Sequence, residues 1–346
     1  MTISTVLLCG FGAFGAQHAQ AWRTLGKTVL VAEPDGQARA RAQASGVATA
    51  DMAATVDDLM ERADCVDIVT PPAQHLELCE MALAAGKPVL LEKPAVANAA
   101  EGKRLLELQE KCGQPVQVNL LLRSHPMTQR AVDLIGQGVI GSLMLIEGRF
   151  CGWKRQHRAV GLLHNDGAHF LDLMRLFAGS PIDRIAVRAM SFLGHEKPDD
   201  LSIDLTHANG VEGRLALGLI APGSVEDSFV PGAQTDKVLR LVGDKGTLTL
   251  DFNGNDLTVQ SVCFDVDASV IRVVPGEKRC EKFDTVTSQS LLQESLKSFL
   301  ASCEKGAPLL VPLREAALEL ARVMDSIQAA SKEPMFNGHP VKEASL

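Results

Sequence analysis

Tyrosine is absent from this sequence of 346 residues, and other aromatic residues are few, with two Trp and twelve Phe. Any stacking contact with a ligand must therefore come from these side chains or from one of the nine histidines. Cationic residues are also in the minority, with 34 Lys and Arg against 42 Asp and Glu. The net charge of −8 argues against non-specific nucleic-acid binding, but it leaves room for a locally basic pocket.

Long apolar runs are missing as well, since no stretch reaches the ~20 apolar residues of a membrane span. No Lys or Arg precedes the apolar run Val6–Cys9, so the charged start of a secretory signal is not there. None of the eight cysteines forms a Cys-x-x-Cys pair, which argues against a zinc ribbon or a thioredoxin-type motif. The sequence predicts a cytoplasmic protein with reduced thiols, no metal site, and neither nucleic acid nor membrane as partner.

The length suffices for two domains of ~100–200 residues each, and the sequence pattern changes near residue 120. Before that point, short apolar runs alternate with amphipathic stretches. The predicted strands are Val6–Cys9, Val29–Ala32, Asp67–Thr70, Val89–Leu91 and Val116–Asn119, with helices near 14–25, 36–44, 54–62, 75–85 and 98–111. This alternation predicts an α/β Rossmann domain with a doubly wound parallel sheet over residues 1–120.

Strand-like runs dominate the second part of the chain. They are Leu143–Phe150, Arg184–Phe192, Ser202–His207, Val211–Leu219, Val238–Val242, Thr247–Phe252 and Leu257–Cys263. Asn209-Gly210 between two such runs predicts a tight hairpin, and Gly243–Gly246 predicts another. Helical patterns occupy Thr128–Ile135, Phe170–Phe177, 288–304 and 313–330. We expect an α+β domain with an open, mainly antiparallel sheet over residues 121–346.

A glycine motif, Gly10-Phe11-Gly12-Ala13-Phe14-Gly15, lies between the first predicted strand and the helical pattern that follows it. In such a motif the first glycine allows a tight turn, and the second lets the backbone approach a pyrophosphate. The third lets the helix pack closely on the sheet. Because the helix N-terminus offers free N–H donors, the motif predicts a dinucleotide site.

Glu33 ends the second predicted strand at about the ~20-residue spacing of a ribose-binding acid. A carboxylate there accepts the ribose hydroxyls and repels a 2′-phosphate, which predicts NAD rather than NADP. Two alternatives stay open. Asp35 could be the ribose acid, and Arg39 with Arg41 could accommodate NADP.

The segment Glu92-Lys93-Pro94 follows the strand Val89–Leu91 and therefore lies at the carboxyl edge of the sheet, where ligands bind in open α/β folds. Pro94 biases Lys93 toward an extended conformation. The residues alone leave two interpretations. Lys93 could hydrogen-bond a substrate hydroxyl beside the nicotinamide, or it could be a solvated surface lysine.

The chain resembles the glucose–fructose oxidoreductase/inositol dehydrogenase (Gfo/Idh/MocA) family over nearly its whole length. The segments that carry the resemblance are Gly10–Gly15, Thr70–His75, Ala84–Pro94, Gly138–Gly141 and Gly167–Asp172. The resemblance implies an NAD(P)-dependent dehydrogenase acting on a secondary alcohol of a sugar, cyclitol, sugar acid or nucleotide sugar. It also implies a homodimer or homotetramer. It places Lys93 beside the nicotinamide and the substrate hydroxyl, and assigns to the cofactor surroundings Thr70, Pro71, His75 and Glu92.

The same resemblance implies that His169 is the general base, a task suited to imidazole with its ordinary pKa of ~6.5. The family pattern is Asp-x-Gly-x-His, but here Asn165 stands at the aspartate position and Asp166 comes one residue later. An asparagine can position the imidazole but cannot stabilise its charged form as a carboxylate does. Three interpretations stay open: His169 is a weaker base, Asp166 has taken over the aspartate's role, or the chemistry has been lost.

A basic segment with one indole precedes this histidine, and it contains Trp153, Lys154, Arg155 and Arg158. Together with Arg123, it could bind the ring and an anionic group of a small polyol or sugar-like substrate. The alternative is a solvated basic loop. Two other functions also stay open: a hydrolase or lyase of the same fold that retains NAD, and an NAD-binding sensor without catalysis.

Overall fold

The computed structural model describes residues 2–154, 161–194, 197–227, 230, 232–267, 270–284, 286–331 and 342–345. The chain divides into two compact units. The first comprises Met1–Ser124 and Ser288–Ala321, and the second comprises His125–Thr287 and Arg322–Leu346. The first unit is therefore discontinuous in sequence, because it includes a late helical segment.

The first unit contains a six-stranded parallel sheet in the order β3-β2-β1-β4-β5-β6. Its strands are β1 (Thr5–Cys9), β2 (Thr28–Ala32), β3 (Met52–Ala53), β4 (Cys65–Ile68), β5 (Val89–Glu92) and β6 (Val116–Asn119). The strand order reverses between β1 and β4. In doubly wound sheets, ligands bind beyond the carboxyl ends of the strands at such a reversal. The structure confirms the predicted Rossmann sheet.

Helices cover both faces of this sheet. They are α1 (Ala13–Thr24), α2 (Gly36–Ala44), α3 (Asp57–Met60), α4 (His75–Ala84), α5 (Ala99–Cys112) and, from the late segment, α8 (Ser288–Lys305). Neighbouring residues of β1 point into different cores, since Leu7 belongs to one buried apolar cluster and Leu8 to the other. Phe299 of α8 packs edge-on against the buried Trp22 of α1, which anchors the late segment in the first unit.

The second unit contains a ten-stranded sheet in the order β15-β14-β13-β12-β7-β10-β9-β8-β16, with β11 paired to β12. Its strands are β7 (Leu143–Trp153), β8 (Ile182–Met190), β9 (Asp200–His207), β10 (Glu212–Gly218), β11 (Val225–Glu226), β12 (Gln234–Gly243), β13 (Gly246–Asp251), β14 (Asp256–Val266), β15 (Ile271–Lys282) and β16 (Lys342–Ser345). Among the described strands of this second sheet, only β7 and β10 pair in parallel, so the sheet is mainly antiparallel, as predicted.

The described helices of this unit are α6 (Pro126–Gly136), α7 (Ala168–Ala178) and α9 (Leu320–Ala330), the last beginning at the end of the first unit. Aromatic contacts mark the core between α7 and the sheet. The ring of Phe170 lies 5.3 Å from that of Phe150 and 6.0 Å from that of Phe252. A π-helical turn, Leu163–Gly167, leads directly into α7.

Several strands differ from the sequence-based expectations, and two of them show why. The strand predicted at Asp67–Thr70 is Cys65–Ile68, because Val69 and Thr70 leave the sheet to form the loop beside Gly10. The strand β15 was not predicted, since its charged, Pro-Gly-containing sequence is typical of a loop. In the described part of the chain, no helix is long and apolar enough to cross a membrane.

Candidate active site

The turn between β1 and α1 has the geometry of a nucleotide-binding turn. Gly10 has φ +95°, and a Cβ at this position would lie 2.9 Å from the carbonyl oxygen of Val69. A Cβ at Gly15 would lie 2.3 Å from the carbonyl oxygen of Gly10. Only hydrogen fits at either position, so the helix begins directly against the end of the strand.

The start of α1 is suited to bind an anion. Gly12 and Ala13 are exposed there, and Phe14 is half-buried. The first helical turn carries no acidic residue, and no side chain caps it in the described structure. The hydroxyl oxygen of Thr70 is buried beside this turn and has no hydrogen-bond partner among the described residues. Free amides, open space at Gly12 and an unpaired buried hydroxyl all fit a bound dinucleotide.

Glu33 follows β2, the strand next to β1, and its carboxylate braces the glycine turn. Its Oε2 accepts the Phe11 N–H at 2.7 Å, and its Oε1 accepts the Asp35 N–H at 2.9 Å. Asp35 caps α2 by accepting the N–H of Gln37 at 3.0 Å. The guanidinium of Arg39 donates to the carbonyl oxygens of Glu33 and Pro34. Both predicted ribose acids thus accept backbone N–H groups here, and Glu33 is the one that contacts the glycine turn.

His75 joins the two loops that follow β4 and β5. Its Nδ1 lies 2.9 Å from the carbonyl oxygen of Pro94, and its Nε2 lies 2.9 Å from that of Thr70. The ring is buried, and this burial lowers its pKa. The structure thus ties the exposed Pro71 loop to the turn that carries the half-buried Lys93, whose bond to Pro94 is cis. These residues all lie at the carboxyl edge of the first unit's sheet.

Beneath this edge, Glu92 belongs to a buried polar cluster. Its carboxylate accepts the Lys93 N–H at 3.1 Å through Oε2, and it accepts the amide group of Asn119 through Oε1. Asn119 ends β6 and accepts the Ser295 hydroxyl at 2.7 Å. Glu92 therefore lies below the site and supports the main chain of Lys93.

In the second unit, Lys154 follows β7 and is buried against Asp166. The Lys154 Nζ lies 2.5 Å from the Asp166 Oδ2 and 3.9 Å from the centre of the Phe150 ring. Asn165 donates its amide to the Asp166 Oδ1 at 3.1 Å. The structure thus brings together three predicted residues: Lys154 at the strand end, and Asn165 and Asp166 on the π-helical turn. His169 follows about one turn later, on α7.

A second buried lysine lies next to this group, although the sequence analysis did not single it out. Lys237 pairs with Phe150 across β12 and β7, and its Nζ lies 2.6 Å from the Asp227 Oδ1. Burial lowers its pKa despite the neighbouring carboxylate of Asp227. Thr235 donates its hydroxyl to the Asp227 Oδ2 at 2.7 Å, which satisfies the other carboxylate oxygen.

Two of the remaining predicted substrate residues, Trp153 and Arg123, have described contacts of their own. Trp153 is exposed and donates its indole N–H to the Ile220 carbonyl oxygen at 3.2 Å. Arg155 and Arg158 lie outside the described residues. Arg123 belongs to the first unit, where its buried guanidinium lies 2.7 Å from the Glu315 carboxylate.

The residues that sequence reasoning missed share one signal, a charged side chain on a face that must be buried. Asp67 stands inside the apolar strand Cys65–Ile68, and His18 lies in α1 three residues after Gly15. Lys237 occupies the inward face of an alternating strand. Because a buried charge needs a partner, each of these positions predicts a polar contact. The partner residue cannot be identified before the fold is known.

Two family models match this chain. One describes an oxidoreductase family with an NAD-binding Rossmann fold and matches residues 4–120. The other describes the GFO/IDH/MocA C-terminal domain and matches residues 128–249. These matches cover more than half of the sequence and agree with the fold and with the glycine turn. The chain belongs to the GFO/IDH/MocA family of NAD-binding oxidoreductases.

Curated relatives include dehydrogenases and reductases. An inositol 2-dehydrogenase from Leifsonia xyli is 32% identical over 52% of this chain and 55% of its own length. A dTDP-3,4-didehydro-2,6-dideoxy-alpha-D-glucose 3-reductase from Streptomyces violaceoruber is 31% identical over 65% of this chain. The match spans 64% of that reductase, so the chain covers less than two thirds of either relative.

Solved structures share the fold across almost the entire chain. A levoglucosan dehydrogenase in complex with NADH has a TM-score of 0.79, covering 96% of this chain and 98% of that one. The two sequences are 17% identical, so the likeness concerns the fold alone.

The glycine turn offers a substitution that separates binding from folding. A Cβ at Gly12 meets no atom within 4 Å, so Gly12→Ala should leave the melting temperature unchanged. Its methyl group occupies the space a pyrophosphate needs, and we expect NADH affinity to fall at least ~10-fold, measured by fluorescence titration. Gly10→Ala serves as the contrasting variant and should also destabilise the fold by more than ~1 kcal/mol. Undiminished NADH binding by Gly12→Ala would show that this turn does not hold the dinucleotide.

Proposed function

We propose that this protein is an NAD-dependent dehydrogenase. It transfers a hydride between nicotinamide and a secondary alcohol of a sugar, cyclitol, sugar acid or nucleotide sugar. The observation that carries the proposal is that the glycine turn, Glu33 and Lys93 all lie at the carboxyl edge of the same sheet. The activities for which the curated relatives are named, on inositol and on a nucleotide sugar, support the substrate class.

The cofactor-holding residues follow from the first unit. The amides at the start of α1 would hold the pyrophosphate, Glu33 the adenosine ribose, and the Thr70–Pro71 loop the nicotinamide half. When bound, NAD supplies the hydride acceptor. The carboxyl-edge position of these groups is where a doubly wound sheet binds its ligand.

The acid–base work is assigned to Lys93 and His169. Lys93 hydrogen-bonds the carbinol oxygen of the substrate, and its positive charge stabilises the oxygen as the proton leaves. His169 takes that proton as general base. Asp166 is bound by Lys154 and by the Asn165 amide, and we infer that it holds the turn that carries His169.

The cationic side chains that could contact an anionic substrate group have carboxylate partners where the structure describes them. Lys154 and Lys237 each pair with a buried carboxylate, and Arg123 pairs with Glu315. Recognition of an anion by Arg155 and Arg158, which lie outside the described residues, stays a prediction.

NAD is proposed as the preferred cofactor because the Glu33 carboxylate lies at the glycine turn. Glu33→Gln keeps an oxygen for the Phe11 N–H but removes the charge that repels a 2′-phosphate. We expect the ratio of kcat/KM for NAD to that for NADP to fall roughly 10- to 100-fold. Asp35→Asn is the matched control and should leave the ratio nearly unchanged. The opposite pattern, or a lower KM for NADP in the unaltered protein, would contradict the assignment.

The assignment of Lys93 and His169 is tested by NADH formation at 340 nm across inositols, sugars, sugar acids and nucleotide sugars. With the substrate so found, Lys93→Met and His169→Asn should each lower kcat by ~10²- to 10⁴-fold while NADH affinity is retained. Lys103→Met, a change at an exposed lysine paired with Glu107, is the surface control.

Two other outcomes of this screen would each replace the proposal. Product formation without accumulation of NADH would indicate the NAD-retaining hydrolase or lyase. Tight NAD binding with no turnover of any compound would indicate a sensor, consistent with Asn165 at the aspartate position.

Assembly into a homodimer or homotetramer and a cytoplasmic location stay predictions. Exposed apolar side chains on β14 and β15 support assembly, since such patches commonly mark interfaces. They include Phe264, Val266, Ile271, Val273 and Val274. Sedimentation equilibrium at micromolar concentration should give a multiple of the chain mass, and the mass of a single chain would contradict the assembly.

A further inference from the structure

A buried group of three ionisable side chains lies beneath Lys93. His18 on α1 has its Nδ1 2.8 Å from the Asp67 Oδ2 on β4 and its Nε2 3.2 Å from the Glu92 Oε1 on β5. His18 and Asp67 are fully buried, and Glu92 is 7% exposed. The imidazole therefore links the nucleotide-binding helix to two neighbouring strands of the sheet.

The surroundings of His18 decide its protonation. Nδ1 hydrogen-bonds the Asp67 carboxylate, and Nε2 faces the Glu92 carboxylate at ion-pair distance without hydrogen-bond geometry, so both contacts favour the positively charged imidazolium. Burial alone would lower the pKa of His18, but the charges of Asp67 and Glu92 raise it to about 10. The Phe14 ring packs edge-on against the imidazole, and Trp22 donates its indole N–H to the same Asp67 oxygen at 2.6 Å. His18 is therefore a cation at neutral pH.

The group connects to Lys93 through Glu92. One oxygen of that carboxylate faces His18, and the other accepts the Lys93 N–H at 3.1 Å. Two peptide groups further along the chain, the Pro94 carbonyl oxygen lies 2.9 Å from His75. The main chain around Lys93 is thus held on one side by Glu92 and on the other by His75.

We propose that His18 is a positioning residue for Lys93: it orients the Glu92 carboxylate, which holds the lysine main chain in place relative to α1. This inference depends on the proposed function in one respect, namely that Lys93 takes part in catalysis. A merely structural His18 would contribute to stability without any specific effect on the lysine.

Hydrogen exchange tests the positioning without a substrate. In His18→Gln, the Lys93 amide should exchange at least ~10-fold faster than in the unaltered protein, since its acceptor, the Glu92 carboxylate, keeps the Asn119 amide but loses the imidazole. His207→Gln is the matched control: it makes the same change at a buried histidine of the second unit, whose Nδ1 contacts the Val211 carbonyl oxygen. It should leave Lys93 exchange unchanged. Unchanged exchange in His18→Gln would overturn the proposal.

Kinetics give the second arm of the test. We expect His18→Gln and Glu92→Gln each to lower kcat roughly 10- to 100-fold, with NADH affinity within about threefold. Because His18 acts through Glu92, the double variant should be little worse than the more affected single variant. Additive losses, or a loss confined to the melting temperature, would contradict the positioning role. If the unaltered protein turned over nothing, the proposed function would fail while the exchange experiment still decided this inference.

Discussion

The approach of α1 to the end of β1 is the constraint on which the first unit depends. At Gly15 a side chain of even one carbon would lie 2.3 Å from the Gly10 carbonyl oxygen. Because the helix starts at this distance, its free amides lie at the point where the strand order reverses. Glu33 then braces the turn from β2, and the Thr70 loop closes against Gly10 from β4.

Buried ion pairs are the second organising feature, and each unit has its own. In the first unit they lie beneath Lys93, around His18. In the second, Lys154 and Lys237 flank Phe150, each with its own aspartate. Replacing one member of such a pair leaves an uncompensated buried charge, at a cost of about 3–5 kcal/mol, so these positions tolerate little change. We infer that these buried pairs give rigid support to Lys93 and His169, the residues to which we assign the chemistry.

The sequence predicted the elements whose signals are local. Strand β6 has its predicted limits, and the glycine motif was recognised from three residues in a strand-to-helix context. Strand β15 was missed because it is exposed almost throughout and is defined by its pairing with β14, not by its own pattern. His18, Asp67 and Lys237 were missed for a related reason. Their partners lie on other elements, and only the fold shows which charges meet.

The central claim is direct hydride transfer between a carbinol carbon and nicotinamide C4. The most direct measurement uses polyols, sugars and sugar acids deuterated at their carbinol carbons, followed by mass spectrometry of the NADH formed. The account predicts that NADH carries one deuterium on C4 of the nicotinamide ring. Deuterium found in water, or product formed with no labelled NADH, would contradict it.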